Sequence, residues 1–169
     1  MSRLSQDEEA RGNLNKGGLA ITMPTQPDLA SRPLKLTVER TMLAPPDVVY
    51  RAWTEQFDQW FAEPGTMLMK GAVDVPFFFE THFEGQRHPH YGRFLKLVPN
   101  ELIEMTWVTG NPGTRGAETV ITLELTPDDG GTHAKLTHAG FPDEATRDGH
   151  EQAWPLALQS LDERMREAG

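Results

Sequence analysis

The chain has 169 residues, 37% hydrophobic and 24% charged, with a formal net charge of -9 and no cysteine. Such a length suits one domain with a sizeable core. The acidic balance argues against nucleic acid or an anionic membrane as partner, and the lack of cysteine excludes a disulfide framework, a thiol nucleophile and a thiolate metal site.

Residues 1–33 carry four basic side chains (Arg3, Arg11, Lys16, Arg32) against four acidic ones (Asp7, Glu8, Glu9, Asp28), so the deficit of charge lies in the rest of the chain. This stretch has no sustained period and is rich in Gly, Asn, Gln, Ser and Pro, which reads as an irregular extension. Leu19, Ile21 and Met23 could pin it to the domain or to a second copy, which leaves room for a homodimer. The start MSRLSQDEEARG has no apolar stretch behind its basic residue, so no secretory leader is expected. The longest apolar runs, such as VPFFF, are too short for membrane insertion, and a cytoplasmic address is the default.

From Leu34 the pattern sharpens into a domain running to residue 169. LKLTVERTM alternates apolar and polar residues, as a half-buried strand does. APPDVVYRAWT starts with prolines that the first turn of a helix tolerates, and Val49, Trp53 and Phe57 then repeat on one face. EQFDQWFAEPG reads as a second short helix ended by Pro64-Gly65. Strand-like runs follow with turns between them: VPFFFETHF, HYGRFLKLV, ELIEMTWV, ETVITLELT and THAKLTHAGF. Alternation points Ile103, Met105 and Trp107, Ile121, Leu123 and Leu125, and Ala134, Leu136 and His138 inward. A last helix begins after Phe141-Pro142, with Asp143 as its N-cap. It carries the stripe Trp154, Leu158, Leu161 and Met165. Pro155 lies inside that helix. Either it kinks or breaks the helix between Glu151 and Pro155, or it opens a second helical segment.

Strands joined by short turns are antiparallel, and one face of such a sheet needs a cover that only the last helix offers. The fold class is α+β.

Four stretches resemble a known family. APPDVVYRAWT (44–54) is similar to the first-helix motif of the START-like helix-grip superfamily, in the branch named after the activator of the Hsp90 ATPase. QWF (59–61) resembles its paired aromatics, LTHAGF (136–141) the end of its last strand, and HEQAWPLALQSL (150–161) its last helix. The likeness runs from Leu34 to about Met165. Ala62 and Glu63 before Pro64, Ala153 before the tryptophan, and Pro155 depart from the pattern. The resemblance implies a helix-grip fold: an antiparallel sheet wrapped around a long C-terminal helix, with two short helices after the first strand. It also implies a cavity between sheet and helix, in which relatives bind lipids, sterols, polyketides or hormones.

Trp53, Trp60, Phe77, Phe79, Met105, Trp107 and Trp154 are the candidates for the wall of that cavity. Any one of them reads equally as core; as a set in a helix-grip fold, they are expected to include the ligand contacts. His138 shares an inward face with Leu136. It is either a ligand donor, acid or base, or a structural histidine bonded to a backbone carbonyl. His82, His88 and His90 bracket a hairpin turn and read as exposed rather than metal-binding, since Pro89 disturbs the i, i+2 geometry. Glu80 and Glu104 are placed on the solvent side of the sheet, where a buried carboxylate would instead have a raised pKa. No catalytic residue, metal or cofactor is assigned, and nucleophile elbow, phosphate loop, dinucleotide fingerprint and H-E-x-x-H are absent. The expected activity is binding of a small, largely apolar molecule. Its rivals are a cyclase- or hydrolase-like enzyme using His138 with a cavity carboxylate, and an Hsp90-cochaperone-like interaction module with an exposed apolar patch.

Overall fold

The alternation from Leu34 becomes strand β1, Leu34–Met42, in a computed structural model that describes residues 26–168. Leu19, Ile21 and Met23, and the docking expected of them, lie outside the described residues. Just ahead of β1 the Arg32 guanidinium donates to the carbonyls of Gly140 (2.9 Å) and Glu118 (2.8 Å), which ties this segment to the far strands.

The prolines then open helix α1, Pro46–Thr54, which buries Val49, Ala52 and Trp53. Where the sequence suggests a second short helix there is only a 3-10 turn, Phe57–Gln59. Three local bonds keep it short. The Phe57 carbonyl accepts from both Phe61 and Ala62 N–H at 2.8 Å, and the Trp60 indole N–H donates to the Ala52 carbonyl at 2.8 Å, drawing the chain back onto α1.

Strands β2 (Pro76–Phe83), β3 (Gln86–Val98), β4 (Leu102–Thr109), β5 (Thr119–Asp128) and β6 (Gly131–Phe141) complete a six-stranded sheet ordered β1-β6-β5-β4-β3-β2. All neighbours are antiparallel. All nine residues placed inward by alternation on β4, β5 and β6 are buried. β3 outruns β4: its pairing with β4 starts at His90 opposite Thr109, while its pairing with β2 continues to Gln86 opposite Phe83. Residues 81–89 therefore overhang the sheet as a two-stranded ribbon. Pro89 is tolerated there because β4 offers no partner on its open side. Glu84 and Gly85, both at positive φ (51° and 73°), make the tight turn at the tip.

Helix α2, Glu144–Ala168, covers one face of the sheet. Asp143 caps it, accepting from Thr146 N–H at 2.8 Å. Trp154, Leu158, Leu161 and Met165 are buried, each contributing about 1.5–3 kcal/mol through burial. Asp162 fixes the other end of the helix: its Oδ1 accepts from Leu43 and Ala44 N–H at 3.0 and 3.1 Å, just before α1. The close packing of α2 is on β1, β6 and α1, so it stands off from the β2–β3 side. This is the α+β helix-grip arrangement.

Pro155 neither breaks α2 nor opens a new segment; one helix runs through it. Glu151, whose carbonyl loses a partner, and Pro155 itself are both exposed, so water can serve that carbonyl. Proline still lacks the bond that alanine would make. P155A should raise the free energy of unfolding by about 1–3 kcal/mol, read from urea midpoints at unchanged slope.

Candidate functional site

The stand-off between α2 and the overhanging ribbon leaves a cavity of about 370 Å³. Its inner wall is aromatic. Trp154 on α2 and Trp107 at the end of β4 meet with ring centroids 5.6 Å apart, and Phe61 stacks on Trp154 at 6.3 Å and tilts against Trp107 at 5.8 Å. Ala153 and Ala157 leave room on the helix side, and Phe83 and His88 of the ribbon flank the space. The β4–β5 loop closes another side through Asn111, Pro112 and Gly113. Thr109 and Thr114 hold this loop by reciprocal bonds: Thr114 N–H donates to Thr109 Oγ1 (2.7 Å) and Thr109 N–H to Thr114 Oγ1 (2.9 Å). Gly113 is required beside them, since a Cβ there would collide with the Thr109 hydroxyl.

The two tryptophans are joined by a buried hydrogen-bond chain. Trp154 Nε1–H can only donate, so His138 Nδ1 accepts at 3.0 Å and carries no proton. The proton is then on Nε2, which donates to Thr119 Oγ1 at 2.7 Å; the Thr119 hydroxyl donates in turn to the Trp107 carbonyl. Both ring nitrogens of His138 are thus engaged by side chains, and its expected backbone carbonyl partner is not the one it has. The ring sits behind the wall and sets the orientation of Trp154.

Of the eight candidates, Trp107 and Trp154 line the cavity. His138 supports them. Trp53, Trp60, Phe77, Phe79 and Met105 lie in the buried cluster beneath, where Phe79 packs on Trp107 at 5.6 Å and Trp53 on Trp154 at 5.8 Å.

The family model described as "Activator of Hsp90 ATPase homolog 1-like protein" matches residues 43–166. The chain belongs to this family. Protein MLL2253 of Mesorhizobium loti has a similar structure, with a TM-score of 0.67 at 25% identity over 80% of this chain and 99% of that one. CV1439 of Chromobacterium violaceum gives 0.67 at 28% identity, over 77% and 95%. The Aha1 dimer from Colwellia psychrerythraea shares the fold, with a TM-score of 0.59 at 20% identity over 78% and 96%. No curated protein matches.

In this member of the activator of Hsp90 ATPase homolog 1-like family, three histidines that were not among the candidates border the cavity: His88 on the ribbon, His90 and His150. His90 is not an exposed hairpin residue. It is buried, stacked on Phe79 at 4.8 Å and edge-on to Trp107 at 5.0 Å. Strand phase could have found it: it stands four residues before the buried Phe94, on the same face. His150 stands one helical turn before Trp154, and that spacing was the signal. Glu80 also differs from expectation. It does take the outer face, opposite the inward Phe79, but is largely covered there, and Arg87 (2.7 and 2.8 Å) and His82 (3.1 Å) hold its carboxylate down at about 2. Glu104 is half-buried, opposite Lys96. Among the described residues no group of three or more His, Asp or Glu is disposed to hold a metal ion.

Burial pushes His90 down to about 4 and His138 well below the ordinary imidazole range; His150 is lowered for the same reason. The unfolded chain therefore binds protons that the folded one refuses. Stability is full above about pH 6.5 and falls as pH drops from there toward 4, by on the order of 3 kcal/mol for His90 alone. Urea midpoints measured from pH 7.5 to 4.5 should fall steadily across that window.

Proposed function

We propose that the protein binds a small, largely apolar molecule in the cavity between α2, the β2–β3 ribbon and the β4–β5 loop. The observation that carries this reading is an open space of about 370 Å³ against the Phe61–Trp107–Trp154 wall. Its size lies within the roughly 300–1,000 Å³ of small-molecule sites. Aromatic and aliphatic side chains form its inner wall, and polar ones, among them Thr81, His90, Asn111 and His150, border it, the mixture such sites show.

The rival enzyme reading needs a free His138 beside a cavity carboxylate. His138 has both nitrogens occupied behind the wall, and no described Asp or Glu lines the space. We place the protein in the cytoplasm, the default for a chain without cysteine. No helix among the described residues is long and apolar enough to cross a membrane. A homodimer stays within the proposal, since one relative of like fold is a dimer.

The neutral dye N-phenyl-1-naphthylamine tests the reading. Its emission should rise saturably at one dye per chain and quench Trp107 and Trp154 in step. A linear, unsaturable response would count against a defined site.

A further inference from the structure

We infer that the cavity selects neutral ligands that donate hydrogen bonds, hydroxylated aromatic molecules above all, through the Nε2 lone pairs of His90 and His150. This rests on the binding reading above and names the ligand class of the same site. The geometry fixes both tautomers. His90 Nδ1 lies 2.9 Å from the His88 carbonyl oxygen, and His150 Nδ1 lies 2.8 Å from that of Thr146. A carbonyl only accepts, so each Nδ1 carries the proton and each Nε2 of the neutral ring is a bare acceptor. Neither Nε2 has a protein partner among the described residues, neither is a sealed buried atom, and both rings line the cavity.

Burial keeps these imidazoles neutral at physiological pH, so the acceptors do not turn into donors there. A ligand hydroxyl set against either gains a bond, whereas a methyl ether leaves the lone pair unpaired. A carboxylate would face two lone pairs. Arg87, the one arginine or lysine among the described lining residues, already spends Nε and Nη2 on Glu80, whose charge cancels its own. The Thr81 hydroxyl, the His88 imidazole and the Asn111 amide also border the space. Each can donate or accept, so none discriminates.

Competition against N-phenyl-1-naphthylamine at pH 7.5 tests this with 2-naphthol, 2-methoxynaphthalene and 2-naphthoate. The naphthol should bind about tenfold tighter than its methyl ether, and the naphthoate weakest. In the double variant H90F/H150F, titrated directly by quenching of Trp107 and Trp154, the preference for the naphthol over its methyl ether should collapse to near one, and a cooperative urea transition certifies the fold. Equal affinity of naphthol and methyl ether for the native chain would overturn the inference and leave the binding reading standing. Tighter binding of the naphthoate would overturn it too and transfer selectivity to Arg87. Failure of all three, and of the dye, would sink both readings.

Discussion

H138A should lower the free energy of unfolding by about 3–5 kcal/mol, a large share of a typical domain's stability. The effect has two parts. The imidazole is fully buried between β6 and α2, so truncation leaves a cavity. Its loss also strands the Trp154 indole N–H, itself buried, whose acceptor among the described residues is His138 Nδ1. An orphaned buried donor costs about 1–3 kcal/mol. Thr119 suffers less, because its hydroxyl keeps the Trp107 carbonyl. H138F separates the two parts: it fills the space but accepts nothing, so about 1–3 kcal/mol should be lost through the indole alone. It also removes one of the buried imidazoles that resist protonation, so its stability should fall less than that of the native chain between pH 7.5 and 5. Urea unfolding of both variants, with W154F to close a double-mutant cycle, measures this directly. If H138F matched the native chain and showed no coupling to Trp154, the hydrogen-bond chain would contribute nothing to holding the wall.

A153W should weaken binding of N-phenyl-1-naphthylamine by at least about 100-fold while shifting stability by less than about 1 kcal/mol. Ala153 is exposed on α2 and borders the cavity directly. An indole placed there has open space to enter and no packed core to disturb, so the cost of overpacking does not arise. It would occupy the room a ligand needs between Trp154 and the β4–β5 loop. The same substitution at Leu156, exposed on α2 and away from the cavity, should leave dye affinity within about twofold. Fluorescence titration of the two variants side by side checks this. Equal loss in both would point to a surface effect of the added indole.

The architecture was legible because two periods carry it. Alternation of two along β4, β5 and β6 and a spacing of three to four along α2 state which side chains are buried, and short turns force antiparallel order. The stripe at Trp154, Leu158, Leu161 and Met165 needed no further information. The cavity was harder to read. Burial patterns mark a residue as inward without saying whether another side chain or empty space lies opposite. Thus Trp53 and Trp154, both inward aromatics in family motifs, end on different sides of one wall. The difference comes from where α2 stands off the sheet and how far β3 outruns β4, which are relations between distant segments. His90 shows the same limit: beside Pro89 it suggested an exposed turn, although its phase with Phe94 placed it inside. Asp162 was invisible because its partners, the N–H groups of Leu43 and Ala44, are backbone atoms more than a hundred residues away. Pro155 looked disruptive only while its exposure was unknown.

The four tryptophans offer the most direct measurement. Each has one indole N–H resolvable in a proton–nitrogen correlation spectrum. Titrated with N-phenyl-1-naphthylamine, the Trp107 and Trp154 signals should move saturably together. Trp60, whose N–H is committed to the Ala52 carbonyl at 2.8 Å beneath the wall, should stay in place. Movement of Trp60 with the other two unmoved, or no movement at dye saturation, would contradict a ligand site on that wall.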